Sequence, residues 1–319
     1  MFAQVSRTVV ALIAVAVLLG GCVRSEEAGD EPAGQAPGTA ESEAPESRFM
    51  LALRRVPAPR GDLWIEFGDV QRLGELADSD PGGAWDDDVR HLGLGALAPR
   101  AHLTAGLGLD VRAAELAIAS GGGSERAGAL LGGQDADAVY AAARAQGWEG
   151  ETALSRDEAP AEPMTTALGH LIALQDDVLY TAAGVEPSWD SVEDLAAEDP
   201  EVRAYAACLG EVAAAVIAGD VAVGVRPDDA GVPVTLMCTS GPDPDELAAS
   251  LPSAVEGTSR VIEPGTPYSR HVAPPDTEIL DQGMVRAAMR HRPGTGAGWI
   301  FTLLRARDLP GTVQYRGEN

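Results

Sequence analysis

Asp220-Val221-Ala222-Val223-Gly224-Val225-Arg226 and Val232-Pro233-Val234-Thr235-Leu236-Met237-Cys238-Thr239 are the runs that decide the fold. Both are apolar, rich in β-branched residues and short, which is the pattern of adjacent strands. Asp243-Pro244-Asp245 follows and opens a helix toward Val255. The same order occurs earlier in the chain. Glu115 to Ser120 and Arg126 to Gly132 are expected strands, and Asp135-Ala136-Asp137 opens a helix toward Gln146. In each copy the first Asp is placed to cap the helix and the second to complement its dipole. A paired-carboxylate metal site is the alternative reading of the two Asp-x-Asp pairs, but capping already accounts for all four residues. The expectation is two related ββα-containing halves, with the groove between them as the first place to look for a ligand.

Working outward, Leu63, Ile65 and Phe67 alternate as on a half-buried strand, and Asp69 is placed to cap a helix from Val70 to Ala77. A second helix is expected from Trp85 to Ala98, stopped by Pro99. Asp86-Asp87-Asp88 lies in its first turn, where the helix dipole favours negative charge, and no further ligands recur at EF-hand spacing. His170 to Leu174 and Val178 to Ala182 flank Gln175-Asp176-Asp177 as a β-hairpin. One helix is expected after Ser188, and another runs from Pro200 to Leu209 under an Asp199 cap. Met284 to Arg292 has strand character, whereas Trp299 to Leu304 is too short an apolar run to assign to helix or strand. The class is α+β, with antiparallel sheets and helices packed on one face. The halves divide as residues 49–187 and 188–319.

The N-terminus carries a different signal. Arg7 precedes an apolar run from Thr8 to Leu19, shorter than the ~20 residues a membrane span needs, and Leu19-Gly20-Gly21-Cys22 follows. This stretch resembles the bacterial lipobox. The resemblance implies a signal peptide over residues 1–21, cleavage before Cys22, and a diacylglycerol on the Cys22 thiol with fatty acids such as palmitate. Two acyl chains anchor stably where one is marginal. Val23 is not the aspartate that retains many such proteins in an inner membrane. The implied location is the outer face of the cell membrane, with the membrane as a partner through the Cys22 anchor. Residues 22–48 then form the lipidated Cys and an acidic tether. Ser25-Glu26-Glu27-Ala28-Gly29-Asp30-Glu31-Pro32 and Glu41-Ser42-Glu43-Ala44-Pro45-Glu46 have almost nothing to bury, so disorder is expected from Val23 to Arg48. Phe67-Gly68-Asp69, Gly108-Leu109-Asp110 and Ala207-Cys208-Leu209-Gly210 resemble fragments of uncharacterised actinobacterial surface lipoproteins. That group brings no activity with it.

The formal net charge is -26, and all 23 basic residues are Arg. The absence of Lys, with Asn319 as the one Asn, matches a GC-rich codon supply. The negative charge repels nucleic acid and anionic headgroups, so no nucleic-acid partner is expected. A P-loop needs Lys and is excluded. Aromatic residues make up 4% of the chain, which weighs against stacking sites for sugars and heterocycles. His91, His102, His170, His271 and His291 show no pairing at metal-ligand spacing, so no metal or other cofactor is expected. Gly121-Gly122-Gly123-Ser124-Glu125 lacks a nucleophile elbow and suits a flexible hairpin loop. Once Cys22 is lipidated, Cys208 and Cys238 remain, and an even pair in an oxidising compartment is expected to form a disulfide; two buried free thiols are the alternative. No catalytic residue is singled out. The expected function is a non-catalytic, lipid-anchored extracytoplasmic protein binding an envelope component or partner protein. The alternatives are the solute-binding lipoprotein of an importer and a secreted hydrolase with dispersed catalytic residues.

Overall fold

The apolar runs become strands of one continuous antiparallel sheet in a computed structural model that describes residues 46–100, 104–156, 168–182, 185, 195–261 and 264–311. In chain order the strands are β1 Trp64–Asp69, β2 Leu116–Ser120, β3 Ala127–Leu131, β4 Leu154–Ser155, β5 His170–Leu174 and β6 Asp177–Thr181. They continue as β7 Ala214–Ala218, β8 Val221–Pro227, β9 Pro233–Ser240, β10 Asp276–Ile279 and β11 Met284–Arg290. The helices are α1 Arg48–Leu53, α2 Val70–Ser79, α3 Ala136–Ala145, α4 Pro200–Leu209, α5 Pro244–Ala254 and α6 Trp299–Arg305. The α+β class stands, with a single sheet of eleven strands among the described residues where separate sheets were expected.

The strand order is β10-β11-β9-β8-β7-β1-β2-β3-β6-β5-β4. Outward from the centre it runs β1-β2-β3-β6-β5 in one direction and β7-β8-β9-β11-β10 in the other. The two courses meet where β1 pairs antiparallel with β7, Phe67 opposite Ala215 and Glu66 opposite Val216. Strand order and direction are therefore pseudo-twofold about that seam, apart from β4, which has no counterpart beyond β10. α3 follows β3 and α5 follows β9, so the ββα order expected for residues 115–146 and 220–255 recurs. Asp135 accepts from the Ala138 N–H and Asp243 from the Glu246 N–H, each at 3.0 Å, as the capping argument required. α2 breaks the symmetry, because β7 and β8 join through a tight hairpin instead.

Helices cover both faces of this sheet, not one. Phe49 and Leu53 of α1, with Val202, Tyr205 and Leu209 of α4, pack on Ile65, Phe67, Ile118, Ala215, Ile217 and Leu236. The Phe49 and Phe67 ring centroids lie 4.9 Å apart. On the opposite face α2, α5 and α6 cover Val216, Val223, Met237 and Val285, and α3 covers Ala117, Leu130 and Tyr180. Each fully buried Leu or Phe stabilises the fold by about 1.5–3 kcal/mol. Central strands are buried on both faces, so they lose the alternation that marks half-buried ones.

Two expected boundaries move. The tether was expected to run through Arg48, but Ser47 accepts from the Met50 N–H at 3.2 Å and starts α1 there. The remainder of the tether, residues 23–45, lies outside the described residues, as do residues 189–194 of the helix expected after Ser188, whose described end is a 3₁₀ turn at Ala196–Glu198. No continuous helix spans Trp85–Ala98. The stretch forms short 3₁₀ turns at Asp88–His91 and Gly95–Arg100, because Gly93 and Gly95 adopt φ of 79° and 52°. The backbone there lies directly on the sheet. A Cβ on Gly68 would sit 2.2 Å from the Leu92 carbonyl oxygen, and one on Gly93 would sit 2.1 Å from that of Ala117.

Candidate functional site

Several of the residues singled out in the sequence take structural roles, whereas His91 and Asp88 are exposed. Cys22 and His102 lie outside the described residues. Cys208, in the last turn of α4, and Cys238, on β9, form a disulfide with their Cα atoms 6.2 Å apart. Both are buried in the cluster under α4. The Asp86-Asp87-Asp88 side chains diverge. Asp86 pairs with Arg90 at 2.9 Å, and Asp88 is exposed. Asp87 accepts from Val89 N–H at 2.9 Å and from Gly298 N–H at 2.8 Å, which ties this segment to the start of α6. Burial raises the Asp87 pKa, against the lowering effect of those two hydrogen bonds. Gly121 to Glu125 joins β2 to β3 through a 3₁₀ turn.

Two polar clusters that spacing did not reveal come together in three dimensions. The first sits beside α6. The His271 ring stacks on Trp299 at 5.0 Å, and His291 meets the same indole edge-on at 6.2 Å. His291 is almost fully buried, and its Nε2 shares a 2.8 Å hydrogen bond with Thr235 Oγ1. Burial lowers its pKa to about 4, so the ring is neutral near pH 7. The second lies at the seam. Trp64 Nε1 donates to Glu66 at 3.1 Å, and Arg305 approaches the same carboxylate at 3.9 Å. His291 and Glu66 are buried by packing, while Arg305 at the rim of the second cluster is exposed.

An open groove lies beyond the C-terminus of α4, on the face that α1 and α4 cover. Its cavity of about 330 Å³ is lined by Leu209, Gly210, Glu211, Arg226, Leu236, Asp276, Thr277, Glu278, Arg286 and Ala288. The antiparallel register explains this set. Gly224 pairs with Leu236, Leu236 with Ala288, and Ala288 with Asp276, so one cross-strand row forms the floor from β8 to β10. Gly224 has a steric reason: a Cβ there would lie 2.8 Å from Val212 Cγ1 and 3.2 Å from Leu209 Cδ2. Neighbouring rows place Arg226 on one flank and Arg286 on the other. Arg286 donates to the Cys208 carbonyl at 3.2 Å and is paired with Glu278. Arg226, Glu211 and Asp276 are exposed at the groove and make no ion pair among the described residues.

β10 closes this side of the sheet as an edge strand, and all four of its residues are exposed. Its acidic side chains hinder pairing with a further strand. Among the described residues no group of three or more His, Cys, Asp or Glu is placed to hold a metal ion, and no helix is long and apolar enough to cross a membrane. Comparison with protein-family models, with curated proteins and with solved structures finds no match.

Proposed function

We propose that this chain is a non-catalytic, lipid-anchored extracytoplasmic protein whose folded part binds an envelope component. The observation that carries the reading is the buried Cys208–Cys238 disulfide. Structural disulfides persist in oxidising compartments and are rare in the cytosol. That agrees with export directed by the apolar run before Cys22. The open groove beside α4 offers the binding function a concave surface with both signs of charge.

The reading is tested at its anchor. Replace Cys22→Ser in the full chain, express it in an actinobacterial host and fractionate the cells. The parent is expected in the membrane fraction and the variant in the soluble extracellular fraction. Equal membrane retention of both would refute lipid anchoring.

A further inference from the structure

The groove between α4 and β10 permits a sharper statement, which rests on the reading of the folded part as a binding module. We infer that it takes a small zwitterion of dipeptide size, with the ligand carboxylate on Arg226 and its ammonium group on Asp276.

Charge complementarity decides the ligand class. In the middle of the groove Arg286 and Glu278 satisfy each other, and Arg286 also holds the Cys208 carbonyl. They add no net charge. The charges left to a ligand are Arg226 on β8, Asp276 on β10 and Glu211 just beyond α4, with Arg226 and Asp276 on strands at opposite ends of the floor. Three strand intervals separate β8 from β10, about 14 Å at 4.8 Å each. The two side chains make no ion pair with each other, and the reach of the Arg226 side chain leaves between them a span of dipeptide length rather than that of a single amino acid. The floor between them, Leu236 and Ala288, is apolar and suits a small aliphatic side chain. A purely anionic ligand would face Glu211, Asp276 and Glu278, and a purely cationic one would face Arg226 and Arg286. A zwitterion avoids both conflicts. The cavity of about 330 Å³ lies within the range of ligand sites, roughly 300–1,000 Å³.

The test uses the purified full chain in detergent and three probes: alanyl-alanine, its C-terminal amide and its N-acetyl derivative. Isothermal titration measures the affinity of each. The dipeptide is expected to bind at least about tenfold more tightly than either derivative, because each lacks one charge-assisted contact. Arg226→Gln should remove the preference over the amide and keep the preference over the N-acetyl form. Asp276→Asn should do the reverse. Both residues are exposed, so the variants are expected to unfold at the parent temperature, and the three probes on the parent test the claim even if a variant does not fold. No binding of alanyl-alanine, equal affinity for all three probes, or an unchanged pattern in folded Arg226→Gln would overturn the inference. Cys22→Ser fractionation does not depend on this groove. The ligand assignment and the anchored-module reading therefore fail separately.

Discussion

Removing the Cys208–Cys238 bridge should lower global stability by about 4 kcal/mol. The two cysteines are separated by 30 residues, and closing a loop of that length restricts the unfolded chain by that amount in the chain-entropy model. The loop contains β7, β8 and most of β9, so the constraint acts on the centre of the sheet. The bridge also pins the last turn of α4, whose Cys208 carbonyl receives Arg286. Cys208→Ala with Cys238→Ala is the cleanest variant, because it leaves no free thiol. For a domain of this size 1 kcal/mol shifts the unfolding midpoint by about 2–4 °C, so the variant should melt roughly 8–16 °C below the parent. Equilibrium denaturation of the parent and variant at pH 7, and of the parent with and without reductant, measures the difference. Coincident midpoints for parent and variant would refute the reasoning.

His291 gives a pH dependence of definite sign. Its folded pKa, about 4, lies below the unfolded value of 6.5, so the neutral ring stabilises the fold fully above pH 6.5. That contribution falls as the pH drops from 6.5 toward 4 and amounts to about 3 kcal/mol at its limit; His291→Gln should flatten denaturation midpoints across this window, and an unchanged slope would contradict the assignment. Gly93→Ala should destabilise by at least about 2 kcal/mol, since φ is 79° and the new Cβ meets the Ala117 carbonyl oxygen at 2.1 Å. Gly74→Ala, inside α2 with nothing within 4 Å of its Cβ, is the matched control and should stabilise by about 0.5–1 kcal/mol in urea titration.

Strands that keep a boundary signal were legible. β8, β9 and the β5–β6 hairpin follow from their β-branched runs and flanking turns. The helix caps at Asp69, Asp135, Asp199 and Asp243 follow from side-chain chemistry that acts within three residues. β7 was missed. Its sequence, Ala214-Ala215-Val216-Ile217-Ala218, has no alternation and is rich in a helix-forming residue. Only β1 and β8 on its two sides make it a strand. α1, which begins where the expected tether ends, was not anticipated, because its apolar residues gain meaning only from the Phe67 they cover. The exposed edge strand β10 carries no apolar period at all. The groove was not legible either. Glu211, Arg226 and Asp276 are far apart in sequence and share a surface through the register of four strands.

The seam between β1 and β7 has a consequence for pieces of this chain. Each strand is the inner margin of its own half, and each is buried by the other. A fragment ending before β7 would expose the backbone of β1 along its full length, flanked by Ile65 and Phe67. Such a margin pairs readily with another copy of itself. Antiparallel self-pairing is isologous, and the pseudo-twofold arrangement about the seam is the symmetry of a homodimer. The intact molecule thus resembles a dimer whose subunits are covalently joined. Expressed alone, either half is expected to associate with itself, and mixing the two halves should favour the heterologous pair that the full chain contains.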